Sequence, residues 1–492
     1  MNAKAKHGAA VVNSGNVKAA FTSCNDFVIR RIHYGLDSQF FFYVCWLDGV
    51  VSGIAVAEDV LRPLTQSLRA GEPADEKECL RRIASGAVYS YSVKHRDKLK
   101  DVLSDLSHGH CAILFDSLSA ALCFEVRGTT VRAVSEPTLE KSLKGGKDSF
   151  VETLRINTAL IRRRIGSPAL KLTESSLGRK SQTNVSILYM DGIANPQVVE
   201  ELARRLDNVD VDALLATGPL EEAIADRPRS LFPQVIHTER PDRFSMYLMD
   251  GRVGLLIDGI PVGLIVPVSL AEFMKVTGDR NLHFLVSTAL RCLRYLALLL
   301  SLLLPAVYVA ITMYHQEMIP EKLLLSIIDA KQNVPFTTAM EMIFLLLAFG
   351  LLQEAGLRLP NPIGDTVSII GALIVGQAAV EAQLVSPIAI IVVAVSGIAG
   401  YTLPSQDLGA AVRLLRVGLL LAAITTGLYG LGLACCGLLL YLAGLDSFGT
   451  DYTAPLSDGR AGSLLRLLFQ VPQQWNKYRD PILKTADKRR QK

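Results

Sequence analysis

The residues best placed to do chemistry lie in an apolar segment near position 370. Gln377 and Glu381 are four residues apart, so a helix presents both side chains on one face. The same face carries Thr366, Ile370 and Ile374. An ionisable group at membrane depth is costly and usually faces a bundle interior or a water-filled cavity. We therefore predict that this face lines a pore; the alternative is that Glu381 only ends the helix at the headgroups.

The opposite face of this segment consists mainly of small residues. It includes Ser368, Gly371, Ala372, Ala378 and Ala379. Small side chains let helices approach closely in lipid, where packing rather than hydrophobicity holds helices together. This face is predicted to pack against another helix.

Three consecutive arginines, Arg162, Arg163 and Arg164, follow apolar residues at helical spacing. They are compatible with a solvated helix face whose charges are paired by carboxylates. They are also compatible with a contact surface for a neighbouring subunit or for anionic lipid headgroups. We carry them forward as candidate subunit-contact residues.

No arrangement of residues typical of an enzyme is found. The sequence has no GxxxxGK[ST], HExxH or GxSxG motif, and its eight His and eight Cys show no metal-ligand spacing. Gly145-Gly146 beside two lysines is interpreted as a flexible turn. We predict no catalytic site, no cofactor and no metal, and a net charge of +4 over 492 residues is too diffuse to predict nucleic-acid binding.

The uneven distribution of charge indicates which elements position these residues. Residues 295–445 hold only 5 Lys/Arg and 8 Asp/Glu, whereas the preceding part has an ordinary soluble balance. A transmembrane helix needs about 20 apolar residues. The uncharged segments are Tyr295–Tyr314, Met342–Gln353, Thr366–Val380, Ala382–Gln406 and Val417–Leu445.

The number of membrane spans follows from the flanking charges. Basic residues lie at both ends of the apolar block, so the positive-inside tendency places both termini in the cytoplasm and makes the number even. Met342–Gln353 is shorter than an ordinary span, so it is interpreted either as a span inside a helical bundle or as a re-entrant element. We predict four spans, or six if the short segments cross. Glu321–Phe336 is predicted to be an amphipathic helix at the interface.

The front half of the chain contains a duplication. Trp46-Leu47-Asp48-Gly49 matches Tyr189-Met190-Asp191-Gly192 at an offset of 143, and residues 109–116 match 251–258 at an offset of 142. Apolar, β-branched runs end at the Asp-Gly turns, and in the second copy Asn195-Pro196 begins a helix. A hairpin is predicted to turn at Asp258-Gly259.

The predicted fold class is an α/β cytoplasmic region made of two similar subdomains, followed by an α-helical multi-span membrane domain and a basic C-terminal tail. The predicted boundaries are 1–24 for an N-terminal extension, 25–140 and 170–284 for the two α/β subdomains, 141–169 for a helical linker, 285–445 for the membrane domain and 446–492 for the tail.

Several motifs follow one another between residues 135 and 450. They are Ser135-Glu136-Pro137, Gly178-Arg179-Lys180-Ser181, Asp191-Gly192-Ile193-Ala194-Asn195-Pro196, Phe232-Pro233-Gln234, Thr238-Glu239-Arg240-Pro241-Asp242, His315-Gln316-Glu317-Met318-Ile319-Pro320, residues 371–380 and Ser386-Pro387. In this order they resemble the A subunit of the GerA-type spore germinant receptor, whose paralogue is stage V sporulation protein AF. The intact stretch 317–324 favours the receptor subunit. Pro404-Ser405-Gln406-Asp407 departs from the Pro-Asn-Tyr of the family.

The resemblance implies a multi-pass protein of the inner spore membrane, with both termini on the cytoplasmic side. It also implies a transporter-like B subunit and a lipoprotein C subunit as partners, and self-association into a ring, a pentamer, that forms a germinant-gated ion channel. The excess of acids over bases in residues 295–445 favours a cation path. The alternatives are an assembly scaffold without a pore, an accessory channel like stage V AF and, less favoured because the spans are few, a secondary transporter.

Overall fold

The computed structural model describes residues 11–34, 40–70, 75–88, 92–126, 137, 140, 144–358, 376–457 and 467–491. Within them, an α/β region with two sheets is followed by a helical region that starts at Phe284. The predicted order of α/β and helical parts is confirmed.

The first sheet is antiparallel and has the strand order β1-β2-β4-β5-β3. Two apolar clusters, one around Phe42 and Phe115 and one around Cys45 and Ala112, pack helices on its two faces. The elements are α1 (Ser14–Ala20), β1 (Phe27–Tyr34), β2 (Phe40–Leu47), α2 (Gly53–Ala55), a π-helical stretch (Val56–Leu61), α3 (Arg62–Ala70), α4 (Glu76–Arg82), a second π-helical stretch (Ile83–Ala87), β3 (Val93–Arg96), α5 (Leu99–Ser107), β4 (His110–Phe115) and β5 (Ala120–Glu125).

The second sheet repeats this arrangement, with the order β6-β7-β9-β10-β8. Its elements are α6 (Leu154–Arg164), β6 (Leu170–Leu177), β7 (Thr183–Met190), α7 (Pro196–Asp207), α8 (Thr217–Ile224), β8 (Ile236–Thr238), α9 (Pro241–Asp250), β9 (Val253–Ile257), β10 (Ile260–Val266) and α10 (Leu270–Phe273). The helix at Asn195-Pro196 and the hairpin at Asp258-Gly259 form as predicted.

The register of the strands confirms the duplication. Phe27 pairs with Leu47 in the first sheet and Leu170 with Met190 in the second, at the offset of 143. His95 pairs with Leu122 and His237 with Leu264, both at the offset of 142. The two subdomains therefore share strand order and residue register. Helix α6, in the segment predicted as a linker, occupies in the second repeat the place of α1 in the first.

Turn aspartates fasten the first helix of each repeat. Asp116, in the β4–β5 turn, accepts a hydrogen bond from the backbone N–H of Ser14 at 2.6 Å. Asp258, in the β9–β10 turn, accepts one from the backbone N–H of Leu154 at 2.9 Å. A carboxylate at a helix N-terminus satisfies free N–H groups and opposes the helix dipole, so each hairpin anchors a helix to its sheet.

Seven helices form the described part of the helical region. They are α11 (Phe284–Tyr314), α12 (Glu321–Lys331), α13 (Thr338–Arg358), α14 (376–381), α15 (Pro387–Tyr401), α16 (Gln406–Thr426) and α17 (Leu428–Ala443). By length and composition, three described stretches are able to cross a membrane: Phe284–Tyr314, Thr338–Ala355 and Gln406–Thr426.

Two of the predicted segments differ from the helices observed. The uncharged run Val417–Leu445 is not one helix, because Gly427 adopts φ 64° and ψ −139° and separates α16 from α17. Helix α16 also begins earlier than predicted and contains Arg413 and Arg416. Met342–Gln353 belongs to the 21-residue α13, which at 1.5 Å per residue is about 32 Å long and so matches a bilayer.

The C-terminal segment returns to the second subdomain. Ala486 donates a backbone hydrogen bond to the carbonyl of Ile193 at 3.1 Å, and Arg479 Nε donates to the carbonyl of Met249 at 3.0 Å. Arg490 forms an ion pair with Asp250. Residues 467–491 therefore lie at the α/β end of the molecule.

Candidate functional site

The predicted pore-lining and helix-packing residues fall only partly within the described chain. Thr366, Ser368, Ile370, Gly371, Ala372 and Ile374 lie outside the described residues. On α14 (376–381), Gln377, Ala378 and Glu381 are exposed and Ala379 is half-buried. Both predicted polar side chains of α14 therefore lie on the surface of the single chain.

The structure corrects the proposed subunit-contact role of Arg162. Its side chain is 1% exposed and forms a bidentate ion pair with Asp26, at 2.8 Å from Nε and 2.9 Å from Nη2. Its Nη1 also donates to the carbonyl of Leu170 at 2.7 Å. A buried charge is stable only when it is paired and hydrogen-bonded, so Arg162 is an internal connector between the subdomains. Arg163 and Arg164 are exposed, and Arg164 pairs with Asp148.

Backbone hydrogen bonds complete this joint between the subdomains. Asn25, just before β1, donates to the carbonyl of Leu172 at 2.9 Å, and Leu172 donates to the carbonyl of Ser23 at 3.1 Å. Residues 23–25 thus run beside the edge strand β6. These contacts fix the segment before β1 against the edge of the second sheet.

A histidine lies where the second subdomain meets the membrane helices. His237, in edge strand β8, has Nε2 at 2.8 Å from a carboxylate oxygen of Glu221 in α8. Its Nδ1 lies 3.0 Å from a carboxylate oxygen of Asp407, in the first turn of α16. Carboxylates only accept hydrogen bonds, so both ring nitrogens donate when the imidazole is protonated. Burial disfavours the charged ring, but its bonds with Asp407 and Glu221 outweigh this effect and raise the pKa of His237 to about 9.

Helix α11 is fastened to the α/β region by a second charged contact. Arg294 of α11 forms two hydrogen bonds, at 2.6 and 2.7 Å, with Asp279 in the 3-10 turn Thr277–Asn281. Both side chains are mostly buried. The fork of the guanidinium fixes orientation as well as distance, so α11 leaves the α/β region at a set angle.

Apolar packing surrounds these polar links. One cluster joins residues of the second subdomain with residues of α16 and α17, including Phe232, Phe273, Leu408, Leu442 and Tyr452. Tyr452 Oη donates to the carbonyl of Pro233 at 2.8 Å. The contact between the α/β region and the helices is therefore a packed interface, not a flexible tether.

A buried carboxylate also supports this interface. Glu272 in α10 lies 3.1 Å from Arg252 and 2.6 Å from Lys275. Burial alone would raise the pKa of Glu272, but these two cations hold it well below its usual range. The carboxylate is charged at neutral pH and links α10 to the second sheet.

Two charged groups lie inside the helical bundle. Arg416 of α16 is 4% exposed and donates to the hydroxyl of Ser396 in α15 at 3.3 Å. Glu341 at the start of α13 is fully buried and accepts from the backbone N–H of Ser386 at 2.9 Å. Glu341 therefore ties the start of α13 to the start of α15. Among the described residues, no three His, Cys, Asp or Glu side chains converge as metal ligands.

Sequence reasoning missed His237, Arg294 and Asp279 as linking residues. His237 and Asp407 are 170 positions apart, so no local spacing relates them. The one available signal was the repeat offset, which aligns His237 with His95. Asp407 was noticed only as a departure from the family motif, without a partner.

Known proteins that are similar to this chain match it over nearly its whole length. A family model described as "Bacillus/Clostridium GerA spore germination protein" matches residues 15–482. The chain is 34% identical over 479 residues to spore germination protein KA of Bacillus subtilis, covering 97% of this chain and 87% of that protein. It is 32% identical over 467 residues to spore germination protein B1 of the same organism, covering 95% of each.

Two further similarities are found. The chain is 33% identical over 469 residues to the B. subtilis protein named uncharacterized membrane protein YfkQ, covering 95% of this chain and 90% of that protein. A crystal structure of the N-terminal domain of the A subunit of the Bacillus megaterium spore germinant receptor GerK3 aligns with 53% of this chain and 97% of that domain, at 29% identity and a TM-score of 0.42.

Proposed function

This chain belongs to the GerA family of spore germination proteins, and on that premise we propose that it is the membrane-embedded A-type subunit of a spore germinant receptor. In this proposal it is not an enzyme. Several copies form a ring, a pentamer, that encloses a germinant-gated ion channel, and the receptor also contains a transporter-like B subunit and a lipoprotein C subunit.

The exposed polar face of α14 is the observation that carries the channel proposal. Gln377 and Glu381 are both exposed on the single chain although they adjoin an apolar membrane segment. Facing lipid would leave these polar groups without hydrogen-bond partners at a high cost in free energy. In a ring, the same face borders a water-filled axis, and a ring of Glu381 carboxylates favours cations.

Contacts between helix ends support a topology with both termini on one side of the inner spore membrane. The C-terminal end of α11 contacts that of α16, since Tyr314 Oη donates to the carbonyl of Ile424 at 2.5 Å. The start of α16 contacts the α/β region through His237, and Tyr441 near the end of α17 contacts Ser230 there at 3.0 Å. We therefore propose six spans. In chain order they are α11, α13, the segment that ends at α14, α15, α16 and α17.

The charged links at the α/β interface give the proposed channel a mechanism of coupling. Helices α11 and α16 are each fastened to the second subdomain by a bonded charge pair, Arg294–Asp279 and His237–Asp407. Helix α16 packs against α11 along its length. A change in the α/β region, or in a partner that contacts it, is thus transmitted to the bundle as a movement of whole helices.

Conductance of the reconstituted protein tests the channel. In lipid bilayers containing the purified oligomer, Glu381→Gln is expected to lower single-channel cation conductance and cation selectivity, because it removes the negative charge from the mouth of the path. Gln377→Leu is expected to lower conductance further, because it places a ring of apolar side chains in the ion path. Glu321→Gln, an exposed acid on α12, is the matched control and is expected to leave conductance unchanged.

Three results would contradict the proposal. Oligomers that conduct no ions, or whose current is insensitive to both α14 variants, would exclude α14 as the lining of a path. A monomeric protein in native-like lipid would favour the scaffold function, because a single chain encloses no axis.

A further inference from the structure

A cavity of about 280 Å³ lies at the end of the bundle farthest from the α/β region. It is lined by the end of α11 and the turn after it, by α12 and by the start of α13, and it is partly open to the surroundings. Its lining combines apolar side chains, including Leu324 and Ile328, with polar ones, including Gln316, Lys331 and Gln332. The cavity thus has the amphipathic lining of a small-molecule site, with one cation in its wall.

The ammonium group of Lys331 is only partly compensated by its neighbours. It contacts the hydroxyl of Thr338, and it lies 3.4 Å from a carboxylate oxygen of Glu341. The other oxygen of Glu341 accepts from the backbone N–H of Ser386 at 2.9 Å, at the N-terminus of α15. The helix terminus therefore shares the carboxylate charge. An ammonium has three N–H donors, so the described contacts leave one for a ligand.

We propose that this cavity binds a small amphiphilic anion, a carboxylate or phosphate group attached to a short apolar body. The anionic oxygen accepts a hydrogen bond from Nζ of Lys331, and the amides of Gln316 and Gln332 complete its polar surroundings. The apolar body lies against Leu324 and Ile328. The site does not depend on whether the chain forms a channel, because it lies within a single chain.

Size and position restrict the ligand further. The volume equals that of about nine water molecules in the liquid, so it suits a molecule of roughly ten non-hydrogen atoms. The 31-residue α11 is about 46 Å long and separates the cavity from the α/β region. The ligand therefore enters from the compartment across the membrane, as a free organic acid or as the headgroup of a lipid in that leaflet.

Binding of hexanoate to the full chain in phosphatidylcholine nanodiscs tests the site, with saturation-transfer NMR as the readout. We expect saturable binding that Lys331→Gln weakens at least tenfold, because the variant loses the cation. Lys322→Gln, an exposed lysine on the same helix, is the matched control and retains wild-type affinity. Ile328→Ser is expected to weaken hexanoate binding several-fold, because it removes an apolar contact from the lining. Ile328 is 53% exposed, so the position tolerates a polar side chain.

A second readout avoids variants that fail to fold. In the wild-type protein, hexanoate is expected to slow acylation of Lys331 by an amine-reactive reagent, measured by mass spectrometry, and to leave Lys322 unaffected. Nanodiscs that contain phosphatidylglycerol distinguish the source of the anion: if this lipid prevents hexanoate binding and protects Lys331, the occupant is a lipid headgroup. Hexanoate that neither binds nor protects Lys331, together with no protection by the lipid, would overturn the proposal.

Discussion

At the scale of single residues, the charges of this protein are placed where they join elements that are distant in sequence. Arg162 reaches Asp26 across 136 positions, and His237 reaches Asp407 across 170. Each pair is at least partly buried, and breaking a buried pair leaves an uncompensated charge. These residues therefore determine how subdomains and helices are held relative to one another.

The His237 link gives a pH-dependent stability. The pKa of His237 is raised from 6.5 to about 9 in the folded protein, so its stabilisation is complete below pH 6.5 and is lost as the pH rises through about 9. His237→Gln is expected to cost roughly 2 kcal/mol at pH 7. The check is the thermal midpoint in detergent, with a deficit at pH 7 that disappears near pH 10.

The duplication supplies the control for this measurement. His95 has the same position in the first sheet, but it is exposed, and within the described chain its ion pair is with nearby Asp97. His95→Gln should leave the thermal midpoint unchanged at both pH values. An equal deficit for both histidine variants, or a deficit for His237→Gln that persists at pH 10, would show that charge at the interface is not responsible.

At the scale of elements, the break between α16 and α17 sets how the helical bundle is closed. Gly427 adopts a backbone conformation essentially restricted to glycine, and a Cβ there would lie 2.9 Å from the Cβ and ring of Tyr314. The close approach brings the end of α11 against the turn between α16 and α17. One residue without a side chain thus permits both the turn and the contact.

Gly427→Ala is expected to destabilise the bundle by about 1–3 kcal/mol, because alanine is strained at this φ and its methyl group clashes with Tyr314. Gly418→Ala, within α16 and with open space around the added methyl group, is the matched control. It should be neutral or stabilising by up to about 1 kcal/mol, since alanine favours helix. Thermal midpoints of the two purified variants measure the contrast, and equal values would contradict this account of the turn.

At the scale of the whole molecule, a duplicated α/β region and a helical bundle form one packed structure. The C-terminal segment returns to the second subdomain through Arg479 and Ala486, so both ends of the bundle sequence meet the α/β region. In the proposed topology, this arrangement corresponds to an even number of membrane crossings. The same proposed topology places α12 and its neighbouring cavity across the membrane from the α/β region.

Cysteine labelling tests this topology. Leu215 is 81% exposed on the α/β region, and Lys322 is exposed on α12. In a background with the exposed Cys292 and Cys436 and the half-buried Cys435 replaced by serine, a membrane-impermeant maleimide applied to right-side-out vesicles is expected to label Lys322→Cys and not Leu215→Cys. Detergent permeabilisation should expose both positions. Labelling of both in intact vesicles would contradict the placement of α12 across the membrane from the α/β region.

The sequence alone was sufficient for features that repeat or that depend on local composition. The 142–143 offset predicted two similar subdomains, and the strand registers confirm it. The scarcity of charge in residues 295–445 predicted the membrane-like region, and the ordered motifs predicted the GerA family. Hydropathy did not predict the helix break at Gly427, because an uncharged run does not reveal where backbone geometry ends a helix. It also missed the first part of α16, because that part contains Arg413.

Only the tertiary structure decided which charges pair and what they join. Arg162 was one of three adjacent arginines with the same local sequence environment, yet it alone is buried against Asp26. His237 and Asp407 likewise acquire their roles from a strand and a helix that are 170 positions apart in sequence. The local spacing of residues determines periodicity and therefore helices and strands. An ion pair between distant residues depends on how those helices and strands pack, and no single segment of the sequence specifies that packing.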